Sequence, residues 1–304
     1  SVKSIPNYAS MVENSNQDID MTALLINQPA LILLSNIDRL YVDYHSSKWQ
    51  LVLGRQRINW GKNLVWNPND LFNAYSFFDF DYEERPGTDA LRAKYFTSGN
   101  SSFEFAINYT DQWKDNTVAI KYNFNKFQYD FQMIVTKYLE NYTLGLGWEG
   151  VIKDMGFKGE LSYFMPYGNS NEDNAFVGSI SFDYYFKNDI SLNVSTLYNS
   201  DGISNTDAYD ASQLYSESID VKHLMPNKWS FFGQASKTFT PAIVGSITSI
   251  YAADIDMIFF MPQFTYSISQ NWDFDVTGQL FYGKQKDNFS NLGNSIYLRF
   301  KYSF

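Results

Sequence analysis

NSIYLRFKYSF, residues 294–304, closes the chain and alternates without a slip. Ile296, Leu298, Phe300, Tyr302 and Phe304 share one parity; Ser295, Tyr297, Arg299, Lys301 and Ser303 share the other. Successive side chains of a β-strand point to opposite faces. One face of this strand is therefore suited to lipid and the other to water. A single strand does not separate a membrane wall from a sandwich strand ending on a core phenylalanine, so the decision rests on repetition.

The same period runs far upstream. Trp272, Phe274, Val276, Leu280 and Tyr282 alternate with Asp273, Asp275, Thr277 and Gln279. Phe103, Phe105, Ile107 and Tyr109 alternate with Glu104, Ala106 and Asn108; Val118, Ile120, Tyr122 and Phe124 oppose Lys121 and Asn123. Phe127, Tyr129, Phe131, Met133 and Val135 oppose Gln128, Asp130 and Gln132, and segments near 176–186 and 190–198 repeat the pattern. Segments of about ten residues match the length that crosses a bilayer at a tilt of about 45°. An open sheet edge is too costly in lipid, so such strands close on themselves. The expected fold is all-β: a transmembrane antiparallel up-and-down β-barrel of about 16 strands with a long inserted loop.

Fifteen candidate strands are legible, near 36–45, 49–57, 88–96, 102–110, 116–125, 127–136, 142–149, 156–165, 175–187, 189–199, 229–239, 242–252, 255–268, 272–283 and 294–304. Very short connections fall at Ser46–Lys48, Asn125–Lys126, Lys187–Asp189, Thr240–Pro241 and Gln270–Asn271, and longer ones around 58–87, 166–174, 200–228 and 284–293. Counted back from a periplasmic C-terminus, the short turns are periplasmic and the long loops external, as in this class. Parity asks for one more strand before 36–45. Either part of residues 1–35, a largely polar segment, supplies it, or the chain lacks N-terminal strands. Residues 36–304 form the barrel.

Composition agrees. Aromatics make up 18% and charged residues only 18%, where a water-soluble globule carries about a quarter charged. The absence of cysteine excludes disulfide scaffolds and Cys-ligated metal sites. A net charge of −10 disfavours nucleic acid as a partner. The closest approach to an apolar helical span, Met21 to Leu34, is broken by Asn27, Gln28 and Pro29. No signal peptide is present, so Ser1 is read as belonging to a processed or truncated chain.

Residues 59–87, NWGKNLVWNPNDLFNAYSFFDFDYEERPG, break the pattern. Trp60, Trp66, Leu71, Phe72, Tyr75, Phe77, Phe78 and Phe80 demand burial, so the loop is expected to fold into the barrel as a constriction rather than pack over its rim. Its charges are Asp70, Asp79, Asp81, Glu83 and Glu84 against Lys62 and Arg85. The flanking strands carry Arg39, Arg55, Arg57, Arg92 and Lys94. Leu91, Ala93 and Tyr95 facing lipid put Arg92 and Lys94 in the lumen, and Leu40 and Val42 do the same for Arg39. Arg55 and Arg57 share parity with Leu51 and Leu53, so either a bulge near Gly54 switches faces or those leucines face inward. A charge on the lipid face near the midplane costs about 2–4 kcal/mol, which favours inward arginines. An acidic loop facing a basic wall either creates a transverse field that selects solutes or simply fastens the loop by ion pairs.

The terminal phenylalanine with alternate aromatics resembles the C-terminal signature of bacterial outer-membrane barrels. The run from Ile37 to Leu91, including IDRLYVDY and KWQLVLGRQRINWGKNLVWNPNDLFNAYSFFDFDYEERPGTDALR, resembles a family of porin-like barrels from Bacteroidota-type bacteria. It is also loosely similar to alginate-export-type porins, in which a GRQ-like strand precedes a WNP-like loop. The resemblance implies a family-wide structural role for Arg55, Gln56, Arg57, Trp60, Asn67, Pro68, Asp70, Glu83, Glu84, Arg85 and Pro86, and names no substrate.

Catalytic constellations are not legible. Only His45 and His223 exist; the first sits at a short periplasmic turn, the second in an external loop with Asp220 nearby in sequence and no recognisable serine partner. No phosphate loop, dinucleotide fingerprint or metal spacing appears, and acidic residues between Asp201 and Asp210 read as a solvated loop. No enzyme activity and no cofactor are expected. The expected function is an outer-membrane, porin-like channel for passive diffusion of small polar solutes, with outer-membrane lipid as its surroundings. The alternative is a closed barrel serving as a subunit of a larger outer-membrane assembly, with other outer-membrane proteins as partners. Pro262 inside a good strand marks a local break in pairing.

Overall fold

The computed structural model of the chain describes residues 19–28, 31–74, 87–97, 99–168, 172–204, 220–285 and 288–304. Among the described residues there are seventeen strands, and fifteen of them form one antiparallel sheet in which each strand pairs with its sequence neighbours. In chain order that wall is β3 (Leu40–His45), β4 (Trp49–Gln56), β5 (Thr88–Phe96), β6 (Ser102–Asn108), β7 (Thr117–Lys126), β8 (Tyr129–Tyr138), β9 (Asn141–Ile152), β10 (Met155–Pro166), β11 (Ala175–Tyr185), β12 (Ile190–Asn199), β13 (Trp229–Thr240), β14 (Ile243–Ala252), β15 (Met257–Ser269), β16 (Trp272–Gln285) and β17 (Asn288–Tyr302). Each matches one of the fifteen stretches read from period two. Residues 22–36 are not a sixteenth wall strand. They form a separate hairpin of β1 (Thr22–Gln28) and β2 (Leu31–Asn36). Among the described residues the wall is not closed: β3 and β17 are its two edges.

The two faces differ as the alternation requires. On β9, Tyr142, Leu144 and Leu146 are exposed while Asn141, Thr143, Gly145 and Gly147 are buried. On β8, Met133 and Val135 are exposed while Gln132, Ile134 and Thr136 are buried. A contiguous apolar surface of this extent is unstable in water and suits lipid. Toward the short-turn end the outward rings stack: Phe103 on Tyr122 at 4.5 Å, Phe124 on Phe131 at 5.3 Å, Phe157 on Phe182 at 5.0 Å. Such a girdle belongs at a membrane–water interface.

Two local details correct the sequence reading and a third, the break in pairing at Pro262, agrees with it. The β7–β8 turn is Phe127–Gln128, both residues at positive φ (55° and 65°), so Phe127 is a 79% exposed turn residue and not a strand position. Two central residues at positive φ give the turn whose twist matches the flanking strands. At Gly54 the pairing with β3 and β5 stays in register, so no bulge exists; φ of +118° at this glycine turns the chain instead. Leu51 and Leu53 are exposed while Arg55 is wholly buried. An added Cβ at Gly54 would stand 2.4 Å from the Leu40 carbonyl oxygen, so no other residue fits. Pro262 keeps register with β14, but its pairing with β16 lapses between Phe260↔Leu280 and Gln263↔Thr277 without a slip. The missing N–H removes a link and leaves the alignment intact.

Candidate functional site

The site grows out of the end of β4. Gln56 donates from Nε2 to the carbonyls of Val52 and Ala90, both at 3.1 Å. The chain then leaves the sheet as residues 57–74. Side chains with short polar arms hold this segment to itself. Asn73 Oδ1 accepts from the Ile58 N–H at 3.0 Å, Asp70 Oδ1 from Trp60 N–H at 3.3 Å, and Asn67 Oδ1 from Asn63 N–H at 2.8 Å. The Asn67–Asp70 turn is closed by the Asp70 N–H on the Asn67 carbonyl at 3.0 Å. Asparagine and aspartate replace backbone partners in this way wherever a chain turns without a ladder.

The wall holds the segment from many strands. Both oxygens of Glu160, on β10 and wholly buried, accept backbone N–H groups: Lys62, Asn63 at 3.1 Å and Asn69 at 2.9 Å. Trp60 Nε1 donates to Glu104 of β6 at 2.8 Å, and Gln132 of β8 donates to the Trp60 carbonyl at 2.8 Å. Asn69 Nδ2 reaches the Leu146 carbonyl of β9, Ser162 of β10 the Pro68 carbonyl, and Ser179 of β11 the Trp66 carbonyl. The Trp66 ring meets Phe232 of β13 edge-on at 6.2 Å. Ile58, Trp60, Val65, Trp66 and Leu71 are all nearly completely buried. A flat sheet would cover one side of such a segment, so the wall must wrap around it. Gly145 on β9 leaves room for it: a Cβ there would lie 2.6 Å from Asn69 Oδ1.

Charges beside this segment form two groups. Glu104 lies between Arg92 of β5 (3.7 Å) and Lys121 of β7 (3.5 Å), and the Lys121 ammonium sits 4.5 Å from the Trp60 ring centroid. Lower on the wall, Glu149 joins Lys158 at 3.1 Å and Lys62 of the segment at 3.5 Å. Lys94 is half-buried beside the Phe96 ring. Arg92 also donates to Gln50 at 3.3 Å. Arg55 is a clasp: Nε and Nη2 bind Asp89 at 3.0 and 2.8 Å, Nη1 binds the Ile37 carbonyl at 3.0 Å, and Nη2 also reaches the Ile19 carbonyl. Arg39, half-buried before β3, donates to the Asp38 carbonyl at 2.7 Å. Arg57 is half-buried, and its Nε has no partner among the described residues. Asp79, Asp81, Glu83, Glu84 and Arg85, with Pro86 and the aromatics Tyr75, Phe77, Phe78 and Phe80, lie outside the described residues. Glu104, Lys121, Gln132, Glu160, Ser162 and Ser179 went unremarked in the sequence as site residues. Their only signal there is a polar side chain at an inward parity.

A second segment enters the same buried cluster. Val221, Leu224 and Met225, between β12 and β13, belong to the buried apolar cluster that also holds Tyr138, Phe164 and Phe232. Lys222 Nζ pairs with Glu172 at 2.8 Å and Asp201 at 3.4 Å, and His223 lies 3.3 Å from Asp220 and 3.6 Å from Asp201. The hydrogen bond from Asp220 raises the His223 pKa above 6.5 against the opposing effect of burial. Burial pushes the Asp220 carboxyl up, but the hydrogen bond and charge of His223 and two backbone N–H groups outweigh it and leave it below 3.8. A raised histidine contributes stability that is complete below 6.5 and lost as pH climbs through its folded value; a lowered aspartate contributes above 3.8 and loses it as pH falls. Amide protection factors across 220–228, taken relative to the intrinsic exchange rate at each pH, are therefore expected to be higher at about pH 5 than at about pH 9, with the difference abolished in His223→Asn. Equal protection at both would show that the histidine does not hold this segment. Among the described residues no group of three or more His, Asp or Glu side chains is placed to hold a metal ion.

No protein family matches the sequence, and no curated protein matches it. Solved structures do match in fold. OccAB4 of Acinetobacter baumannii superimposes with a TM-score of 0.57 at 10% identity, over 86% of this chain and 73% of that one. OccK11 (OpdR) of Pseudomonas aeruginosa gives 0.57 at 9% identity, over 90% and 82%. The outer membrane channel DcaP of A. baumannii is more distant, at 0.44, 9% identity, 71% and 85%. With its lipid-suited outer face, polar inner face and this fold, the chain is a β-barrel protein of the outer membrane, of porin-like architecture.

Proposed function

We propose that the protein is an outer-membrane channel for passive diffusion of small polar solutes, narrowed by residues 59–87. The observation that carries this reading is a segment of defined shape pinned to the polar inner face of the wall by groups from seven strands, beside the charged groups Arg92, Glu104, Lys121, Lys62, Glu149 and Lys158. Arg39, Arg57, Lys94 and Asp70, with Asp79, Asp81, Glu83, Glu84 and Arg85, belong to the proposed constriction; Arg55 is assigned a fastening role within it. The resemblance of residues 37–91 to Bacteroidota-type and alginate-export-type porins supports the same reading.

The test is single-channel conductance of the purified protein in a planar bilayer, with selectivity from the reversal potential. A steady conductance that rises sharply on deletion of residues 62–86 is expected. The second reading, a closed barrel within a larger outer-membrane assembly, draws on the apolar cluster of Trp66, Leu71, Val221, Met225, Phe232 and Phe281. Silence of both forms would overturn the channel and leave the closed barrel.

A further inference from the structure

Under the external turn Leu139–Glu140, the inner faces of β8 and β9 carry a small, buried polar patch. Thr136 faces Thr143 directly across the ladder, and Tyr138 faces Asn141 one step nearer the turn. All four are buried, and among the described residues Thr136 Oγ1, Thr143 Oγ1 and Asn141 Oδ1 have no hydrogen-bond partner. Native proteins leave few buried polar atoms unpaired, and a cluster of three in adjoining positions calls for a reason.

The surroundings define what would satisfy them. Phe164 lies beside Thr143 and Ala119 beside Thr136 in the same row. The Tyr138 and Phe164 rings meet edge-on at 6.1 Å. The charged residue of that row, Arg92, is three strands away and engaged with Glu104. Asp220, on the segment packed nearby, is engaged with His223. The patch thus offers two hydroxyls that donate or accept, one carboxamide oxygen that accepts, and aromatic surface, with no free charge. Tyr138 and Phe164 belong to the same buried apolar cluster as Ile58, Trp66, Val221 and Met225, so the patch borders that cluster.

The geometry points to a solute-binding subsite at Thr136, Tyr138, Asn141 and Thr143 for an uncharged, polyhydroxylated solute such as a sugar or polyol. This inference rests on the channel reading above and specifies its solute class. Hydroxyl groups of the solute would supply the partners that the three oxygens lack, and its C–H faces would lie against the rings.

The probe is glucose, and the readout is the concentration that half-blocks KCl current through single channels. Replacing both hydroxyls in Thr136→Val/Thr143→Val should raise that concentration about fivefold for each hydroxyl removed. KCl conductance should stay at the wild-type level, since valine keeps the shape and removes unpaired oxygens. Thr136→Ser/Thr143→Ser should retain block near wild type. If the double valine variant loses current altogether, the single variants Thr136→Val and Thr143→Val carry the same comparison. Unchanged block in valine variants that still conduct, or wild-type current indifferent to glucose, would overturn the subsite while leaving the channel intact. No KCl current in the wild type would instead overturn the channel reading and the subsite with it.

Discussion

Glu160→Ala is expected to release residues 60–70 from the wall and turn a steady channel into a noisy one of higher conductance. The wild-type carboxylate is wholly buried and its two oxygens accept the backbone N–H groups of Lys62, Asn63 and Asn69. Alanine supplies no acceptor, and each buried N–H left unpaired costs about 1–3 kcal/mol, so the segment loses several kcal/mol of anchorage unless water enters. Water entry is itself the predicted event, because it needs the segment to lift. Glu160→Gln separates charge from shape. The carboxamide keeps one acceptor oxygen but presents an NH₂ group where a second acceptor stood, so its effect should be intermediate. Strand pairing through Leu161↔Leu146 and Leu161↔Gly178 does not depend on the carboxylate, and the heat-induced unfolding of the wall should move little. A quiet, wild-type current from Glu160→Ala would show that the remaining contacts of Trp60, Asn69 and Trp66 suffice.

Arg55→Ala should act on the wall itself. Arg55 and Asp89 face each other across β4 and β5, both buried, with two hydrogen bonds between them and two more from the guanidinium to the Ile37 and Ile19 carbonyls. Removing one partner of a buried ion pair leaves an uncompensated charge and typically costs 3–5 kcal/mol, by order of magnitude. Arg55→Lys should recover little, because an ammonium cannot reproduce the planar fork that engages Asp89 and the Ile37 and Ile19 carbonyls together. Arg55→Leu/Asp89→Leu removes both charges, and should be milder than Arg55→Ala although it orphans those carbonyls. The measurement is loss of β-sheet circular dichroism with temperature in detergent, together with protease sensitivity of residues 19–37. A midpoint for Arg55→Ala equal to wild type would mean that the charge pair is not a fastening.

These two residues also mark where the sequence was legible and where it was not. Glu160 and Leu161 look alike in the string GFKGELSYF; parity puts Glu160 inside, but nothing local says that its partners lie about 91–98 positions away in the chain. Arg55 is conspicuous in LGRQRINW, yet its parity with Leu51 and Leu53 contradicts its burial until the positive φ of Gly54 is known. The Phe127–Gln128 turn was displaced by two residues in the sequence reading because phenylalanine favours strands, and only the closure of Lys126↔Tyr129 decides that it turns.

The sequence by itself determined the wall. Fifteen strands, their faces, the split between short and long connections and the membrane character all follow from period two, which is a property of each strand alone and survives any error in its neighbours. Tertiary structure decided what the wall encloses. The folding of 57–74 against seven strands, the pairing of residues 22–36 with each other, and the meeting of Thr136 with Thr143 depend on contacts remote in the chain or on register. Such contacts are set by shape, register and hydrogen-bond closure together, none of which a local pattern contains.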